Sequence, residues 1–330
     1  MAVLAFGATA SFAAPAYRLA ASLPLGAPDR WDYLVFDQGT HRLYVAHGDR
    51  VTVIDPARGA IVGQVEGIPG GTHGIAISLK TGQGFTDDGR AGQAILFDLK
   101  TLKITRTIAA DADADAIAMD KATGHVFVVE GDPAAITVVD PSSDTAVASI
   151  RVGEKLEYAV SDDAGTVFVA GEEKGDLVKI DARSNRVVAH FPASGCSSPH
   201  GLAIDKAGRR LFMGCSNSVM MVLDAASGRV VATLPIGRGN DAVAYDPVRH
   251  RVFSSNGIDG TISAFQQVSP DRYDALAPIP TAVSGRTMSL DPATGRLFVA
   301  AADTDPGPTP GSRPRPRPGT LKLLIFDPVS

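Results

Sequence analysis

The stretch from Cys196 to Asp224, CSSPHGLAIDKAGRRLFMGCSNSVMMVLD, contains three strand-like runs and both cysteines of the chain. An aromatic residue recurs at the position of Phe212 every 41 to 45 residues, and Asp or Ser always stands seven residues before it. The aromatic residues are Tyr44, Phe85, Phe127, Phe168, Phe212, Phe253 and Phe298. The residues seven positions earlier are Asp37, Ser78, Asp120, Ser161, Asp205, Asp246 and Asp291. The stretch is therefore one of seven copies of the same unit.

The period of this repeat predicts the fold. Periods of about 40 to 45 residues are typical of propeller blades. The copies contain β-branched runs such as Val51–Asp55 and Ile136–Asp140, which suit a pleated, half-buried surface. A solenoid of helix pairs would need long runs of Leu, Ala, Glu and Lys, which the sequence lacks. We therefore predict an all-β, seven-bladed β-propeller of four-stranded antiparallel blades.

The two ends of the chain predict how the ring closes. The sequence stops shortly after a third-strand run at residues 321–327, so blade 7 lacks a fourth strand of its own. Residues 17–26, YRLAASLPLG, resemble the outer-strand run of blade 5, and we expect this N-terminal strand to complete blade 7. Blade 7 also carries a Pro/Arg-rich loop insertion at residues 303–320, where the prolines favour polyproline II.

Charge and the N-terminal residues restrict the compartment and the partners. The 330-residue chain has a formal net charge of −5, which makes a nucleic-acid partner unexpected, because such partners usually meet a basic face. Residues 1–14, MAVLAFGATASFAA, resemble the remnant of a signal peptide without its positive charges; a disordered apolar tail is the alternative. No other run approaches the roughly 20 apolar residues of a membrane span. We interpret residues 15–330 as a single domain and expect a periplasmic or secreted monomer.

The two cysteines fit an oxidising compartment. Cys196 lies in the loop that enters blade 5, and Cys215 follows the second strand of that blade. Both loops emerge on the same face of a propeller, so the sulfurs can meet in a disulfide. Two free buried thiols and a thiolate pair on a metal are the alternatives.

The first side chains of the innermost strands converge on the axis of a propeller, and they are mostly polar here. The residues five positions before the Asp or Ser landmarks are Asp32, His73, Asp115, Leu156, His200, Asp241 and Arg286. Glu157 follows Leu156 and is expected to take its place. We predict that these polar residues bind a ligand at the mouth of the funnel, together with Trp31, Asn217 and Asn256; Trp31 could equally be a packing residue.

Four of these residues suggest a metal. His73, His200, Asp115 and Asp241 have side chains that bind divalent transition metals, so a divalent metal ion is a possible cofactor. The two histidines come from opposite sides of the ring, and joint ligation would need a narrow funnel. The sequence contains no G-x-S-x-G, no phosphate-binding loop and no C-x-x-C, and it names no catalytic residue.

The pattern R-L-[YF]-V-A followed by V-x-V-[IV]-D resembles the YVTN-repeat, YncE-like β-propeller family. It is clearest in residues 41–46, 51–55 and 295–300. The resemblance covers about residues 17–330 and implies a propeller that is exported, since members of the family are typically periplasmic; some are reported to bind DNA.

Three functions follow as hypotheses. The first is an exported binding or interaction protein for a small molecule or a protein partner. The second is a metal-dependent hydrolase or lyase, lactonase-like, with its site at the funnel mouth. The third is a DNA-binding propeller, which the acidic mouth does not favour.

Overall fold

The computed structural model describes residues 16–307, 309 and 314–329, and these residues form β-strands and no helix. The predicted signal-peptide residues 1–14 lie outside this range. Seven antiparallel sheets follow one another around a ring, as predicted from the repeat. In blades 1 to 5 the four strands pair in chain order.

The strands of blades 1 and 2 are β2 (Leu34–Asp37), β3 (Arg42–His47), β4 (Arg50–Asp55), β5 (Ala60–Glu66), β6 (Ala76–Ser78), β7 (Gln83–Asp88), β8 (Gln93–Asp98) and β9 (Ile104–Ala109), after β1 (Tyr17–Pro24). Those of blades 3 and 4 are β10 (Ala114–Met119), β11 (Val126–Glu130), β12 (Ala135–Asp140), β13 (Thr145–Arg151), β14 (Leu156–Ser161), β15 (Thr166–Gly171), β16 (Asp176–Asp181) and β17 (Arg186–Pro192). Those of blades 5 and 6 are β18 (Pro199–Asp205), β19 (Arg210–Cys215), β20 (Val219–Asp224), β21 (Val230–Pro235), β22 (Asn240–Asp246), β23 (Arg251–Asn256), β24 (Thr261–Ser269), β25 (Arg272–Ala275) and β26 (Ile279–Pro280). Blade 7 contains β27 (Thr287–Asp291), β28 (Arg296–Ala301) and β31 (Lys322–Pro328), and its insertion contains β29 (Thr304–Asp305) and β30 (Arg315–Pro316).

The N-terminal strand closes the ring, as predicted. Strand β1 pairs antiparallel with β31 over its whole length, from Tyr17 opposite Pro328 to Pro24 opposite Lys322. Blade 7 is thus built from both ends of the chain. Blade 6 differs from the others because two short strands, β25 and β26, together form its outer edge against β24.

The core lies between the blades. Seven buried apolar clusters are found in the described part of the chain, and each joins two neighbouring blades. The seven repeating aromatic residues are all at most 2% exposed. Dispersion and apolar burial therefore hold each blade to the next, and no blade has an independent core.

The Pro/Arg-rich insertion is held at its base. Asp29 accepts hydrogen bonds from the backbone amides of Thr320 at 2.9 Å and Leu321 at 3.1 Å. Although proline at this density favours polyproline II, β29 and β30 form a short ladder in which Thr304 lies opposite Pro316. None of the described residues forms a helix long and apolar enough to cross a membrane.

Candidate functional site

The ionisable side chains of the innermost strands form two sets at one end of the axis. Blades 1 to 3 supply the first set, Asp32, His73 and Asp115. Blades 4 to 6 supply the second set, Glu157, His200 and Asp241. In each set, one possible ligand atom from every residue lies within 4.8 Å of the others. His73 and His200 therefore belong to different sets, and each is grouped with two carboxylates.

β-Bulges place several of these side chains. The pairing register shifts between Ala114 and Ala116 in blade 3, so that Asp115 has no partner on the adjacent strand. Similar shifts occur in β14, β18 and β22, at Glu157, His200 and Asp241. A bulge adds an unpaired residue and re-aims its side chain. Leu156, the residue at the repeat position in blade 4, is fully buried, and Glu157 takes its place at the mouth as expected.

Arg286 of blade 7 links the two sets. Its guanidinium donates hydrogen bonds to the Asp241 carboxylate and, at 2.7 Å, to the backbone carbonyl of Trp31. It also lies 3.7 Å from Asp32. Burial alone would lower the pKa of Arg286, but the charges of Asp241 and Asp32 raise it above its ordinary value. One permanent cation is thus shared between two carboxylates, and one carboxylate comes from each set.

His73 is oriented by a buried carboxylate. Its Nδ1 lies 2.8 Å from Asp87, which is fully buried and also accepts a hydrogen bond from the Gly74 amide at 2.7 Å. Burial alone would lower the pKa of His73, but the hydrogen bond and charge of Asp87 raise it to about 9. The other ring nitrogen, Nε2, lies 3.3 Å from the Arg30 guanidinium.

His200 has a partner on each side of its ring. Nδ1 lies 3.4 Å from the Glu157 carboxylate, and Nε2 lies 3.0 Å from the Ser216 hydroxyl. Burial would lower the pKa of His200, but the hydrogen bond and charge of Glu157 raise it above its ordinary value. In both sets, therefore, a neighbouring carboxylate favours the protonated, positively charged form of the histidine.

Few positive charges or hydrogen bonds offset the burial of the carboxyl groups in the first set. Burial raises the pKa of Asp32 to about 7, against the opposing charge of Arg286. Burial, Glu157 and Asp32 raise the pKa of Asp115 well above its ordinary value. Among the described residues, Asp115 has no hydrogen-bond or ion-pair partner. A cation brought to this set would replace the missing partner.

Two tyrosines lie beside the ionisable residues of the mouth, and the sequence analysis did not identify them. The rings of Tyr33 and Tyr158, from blades 1 and 4, are 4.3 Å apart between centroids. The Tyr33 hydroxyl donates to Glu157 at 3.4 Å, and burial and Glu157 raise the pKa of Tyr33 well above its usual value. Each tyrosine directly follows one of the mouth carboxylates in the sequence, and this is the only signal that could have identified it.

The three residues predicted in the neighbouring loops have different environments. Trp31 is 5% exposed and packs with its ring 5.8 Å from the Arg286 guanidinium. It also lines a cavity of about 280 Å³ together with Arg286 and Pro316 of the insertion. The Asn217 amide bonds to the backbone at Ser197 and Gly195, and Asn256 is fully buried among side chains of blade 6. The two asparagines thus have partners within their own blades.

The cysteines form a disulfide. This confirms the predicted disulfide rather than the two alternatives, free thiols or a thiolate pair on a metal. The Cys196 and Cys215 sulfurs are 2.06 Å apart. The disulfide joins the loop that enters blade 5 to the end of the second strand, beside His200.

Comparison with known proteins identifies one relative by sequence. No protein-family model matches the chain. The chain is similar to the protein named "Uncharacterized protein YncE" from Salmonella typhi, with 22% identity over 188 residues. The match covers 55% of this chain and 52% of that protein, so the chain spans about half the length of the curated relative it matches.

Comparison with solved structures supports the fold. A chain of Kuenenia stuttgartiensis hydrazine synthase has a TM-score of 0.73 at 15% identity and covers 84% of this chain and 93% of its own. A chain of a mitotic checkpoint complex has a TM-score of 0.76 at 16% identity, with 100% and 99% covered. The structure of U3-55K gives 0.76 at 12% identity, with 95% and 98% covered. At these identities the likeness extends to the propeller fold alone.

Proposed function

We propose that this YncE-like β-propeller is an exported binding protein that holds a divalent metal ion, and through it a small-molecule ligand, at the mouth of its axis. The disulfide supports export, because disulfides persist in oxidising compartments. The convergence of ionisable side chains from all seven blades on one end of the axis supports a ligand at that position.

The arrangement around His73 carries the proposal. Metal-binding histidines commonly donate their other ring N–H to a carboxylate, which fixes the ring and strengthens the ligand. His73 makes this contact with Asp87 at 2.8 Å, so a metal would bind its Nε2 in place of the Arg30 guanidinium, which lies 3.3 Å away. The first set adds Asp32 and Asp115. One imidazole and two carboxylates suit a transition metal such as Zn²⁺ or Mn²⁺, with a coordination position left for the ligand.

Titration calorimetry with Zn²⁺ and Mn²⁺ tests the metal. Asp115→Asn keeps the size of the side chain and removes one charge, so we expect at least tenfold weaker binding at the mouth. Asp132→Asn is the matched control, because Asp132 is an exposed carboxylate in a loop between strands of the same blade and lies outside both sets. Equal affinity in the wild type and in Asp115→Asn would refute the proposed site.

A metal-dependent hydrolase or lyase is the second candidate. The observation that favours it is the cavity of about 280 Å³ that Trp31 and Arg286 line, which offers room for a substrate next to the mouth. A metal there would polarise a carbonyl or activate water. Turnover of lactones or esters by the metal-loaded protein, lost in Asp115→Asn, would support this candidate. Metal binding without turnover would favour the binding protein over the hydrolase or lyase.

DNA binding is not proposed. The chain has a formal net charge of −5, whereas nucleic-acid-binding domains usually present a basic face.

A further inference from the structure

We infer that blade 4 carries a separate site for a divalent transition metal such as Zn²⁺, formed by Glu154, Asp176 and His190. Glu154 lies in the loop before β14, Asp176 is the first residue of β16, and His190 lies on the outer strand β17. None of the three belongs to the ring of residues at the mouth. One possible ligand atom from each residue lies within 4.8 Å of the others.

The distances suit a tetrahedral ion after small adjustments. His190 Nδ1 lies 3.0 Å from Asp176 Oδ2 and 3.3 Å from Glu154 Oε1. Zinc bonds to nitrogen and oxygen are about 2.0–2.2 Å long, so the ligand atoms of a tetrahedral site lie roughly 3.3–3.6 Å apart. An ion at this position would replace the proton on His190 Nδ1 and leave one coordination position open toward solvent, since His190 is the most exposed of the three.

Two buried oxygens of the cluster lack hydrogen bonds. Glu154 is 2% exposed and Asp176 is 5% exposed. Glu154 Oε1 and Asp176 Oδ1 are buried and accept no hydrogen bond from the described residues. Glu154 Oε1 forms only ion pairs, with His190 Nδ1 at 3.3 Å and with the Lys174 ammonium at 3.7 Å, and Asp176 Oδ1 has no hydrogen bond from the described residues. A buried carboxylate oxygen without a hydrogen bond is costly, and a bound cation would lower that cost.

Gly171 makes room for this cluster. A Cβ atom at residue 171 would lie 2.2 Å from Asp176 Oδ1 and 2.5 Å from Glu154 Oε2. The second strands of blades 2 and 3 end instead in a buried Asp88 and Glu130 at the equivalent position. In those blades the carboxylate accepts backbone amide hydrogen bonds from Gly70 and Asp111, respectively. Blade 4 thus replaces a single carboxylate, which is held by a backbone amide, by a pair of adjacent carboxylates.

Equilibrium dialysis of the full chain against Zn²⁺, followed by elemental analysis, tests the inference. We expect His190→Ala and Asp176→Asn each to lose one equivalent of zinc relative to the wild type. The His73→Ala/His200→Ala variant, which disrupts the mouth, should keep that equivalent. His125→Ala is the control for loss of an imidazole at a residue outside all of the clusters.

Thermal unfolding separates a metal site from a network of ion pairs. Asp176→Asn supplies an amide donor to Glu154, so we expect its metal-free melting temperature to equal or exceed that of the wild type. Its zinc-dependent shift should be smaller than that of the wild type, because only the mouth still binds zinc. Unchanged zinc content in both blade 4 variants would overturn the inference. A zinc-dependent shift of equal size in the wild type and in Asp176→Asn would overturn it too.

Discussion

His47 ties the N-terminal segment of the chain to blade 1. It is fully buried, its Nδ1 lies 2.8 Å from the Thr52 hydroxyl, and its Nε2 lies 2.7 Å from the Pro28 carbonyl. Burial lowers the pKa of His47 below its ordinary value of 6.5, although the carbonyls of Pro28 and Gly26 oppose this effect. The residue is therefore held neutral in the folded protein near neutral pH.

This environment predicts a pH dependence of stability. Because the folded-state pKa of His47 is below that of the unfolded chain, the unfolded chain binds the proton more readily. The contribution of His47 is complete above pH 6.5 and is lost as the pH falls below it. We expect His47→Gln to lower the free energy of unfolding by about 1–3 kcal/mol at pH 8 through its lost hydrogen bonds, and by less at pH 5.

Urea denaturation of metal-free protein at pH 8 and pH 5 measures this effect. The wild type should lose more stability than His47→Gln between the two pH values. Parallel losses in both proteins would show that the protonation of His47 is not linked to folding.

The sequence predicted which side chains lie together at the mouth better than it predicted their partners. A constant offset from the repeat landmarks identified Asp32, His73 and Asp115, because the same strand geometry recurs in each blade. The contact of Asp87 with His73, the position of Tyr33 and the grouping into two sets were not predicted. They depend on contacts between blades and on side-chain directions, which a repeat pattern does not contain.

At the scale of the element, β-bulges and turn aspartates set the local geometry. In blades 1 to 5 the third strand ends in an aspartate that accepts backbone hydrogen bonds from the turn that follows, as Asp55 does from Ala57 and Arg58. Asp side chains stabilise turns in this way, which explains their regular recurrence. The bulges at Asp115 and His200 carry no comparable sequence signal, since no residue type is required there.

The disulfide is an element-scale prediction about stability. It closes a loop between residues 19 positions apart, and chain entropy gives such a crosslink about 3 kcal/mol. We expect reduction to lower the free energy of unfolding by about this amount in a denaturant titration. The Cys196→Ala/Cys215→Ala variant should be insensitive to the reductant. An unchanged wild type under reducing conditions would contradict the expected contribution.

At the scale of the whole molecule, the ring depends on strand β1. Tyr17 is 2% exposed and packs edge-on against Phe253 of blade 6, with 5.5 Å between ring centroids. The first residue of blade 7's outer strand therefore also contributes to the interface between blades 6 and 7. The repeat predicted the number of blades, and the two ends of the chain predicted this closure, whereas the split outer strand of blade 6 has no counterpart in the repeat.

Substitutions within β1 test the importance of closure. Tyr17→Ala should lower the free energy of unfolding by about 3–5 kcal/mol, as for other large buried aromatic residues. Leu19→Ala on the same strand is the control, because Leu19 is 55% exposed and should change stability by less than about 0.5 kcal/mol. Similar small effects of both substitutions would show that the packing of β1 against blade 6 contributes little to stability.

The proposed metal at the axial mouth is tested most directly by elemental analysis of the protein purified without added metal or chelator. The wild type and His125→Ala should contain a stoichiometric transition metal, and His73→Ala/His200→Ala should contain at least one equivalent less. Equal metal content in the three proteins, or no metal in any of them even after dialysis against Zn²⁺ and Mn²⁺, would contradict a metal-binding mouth.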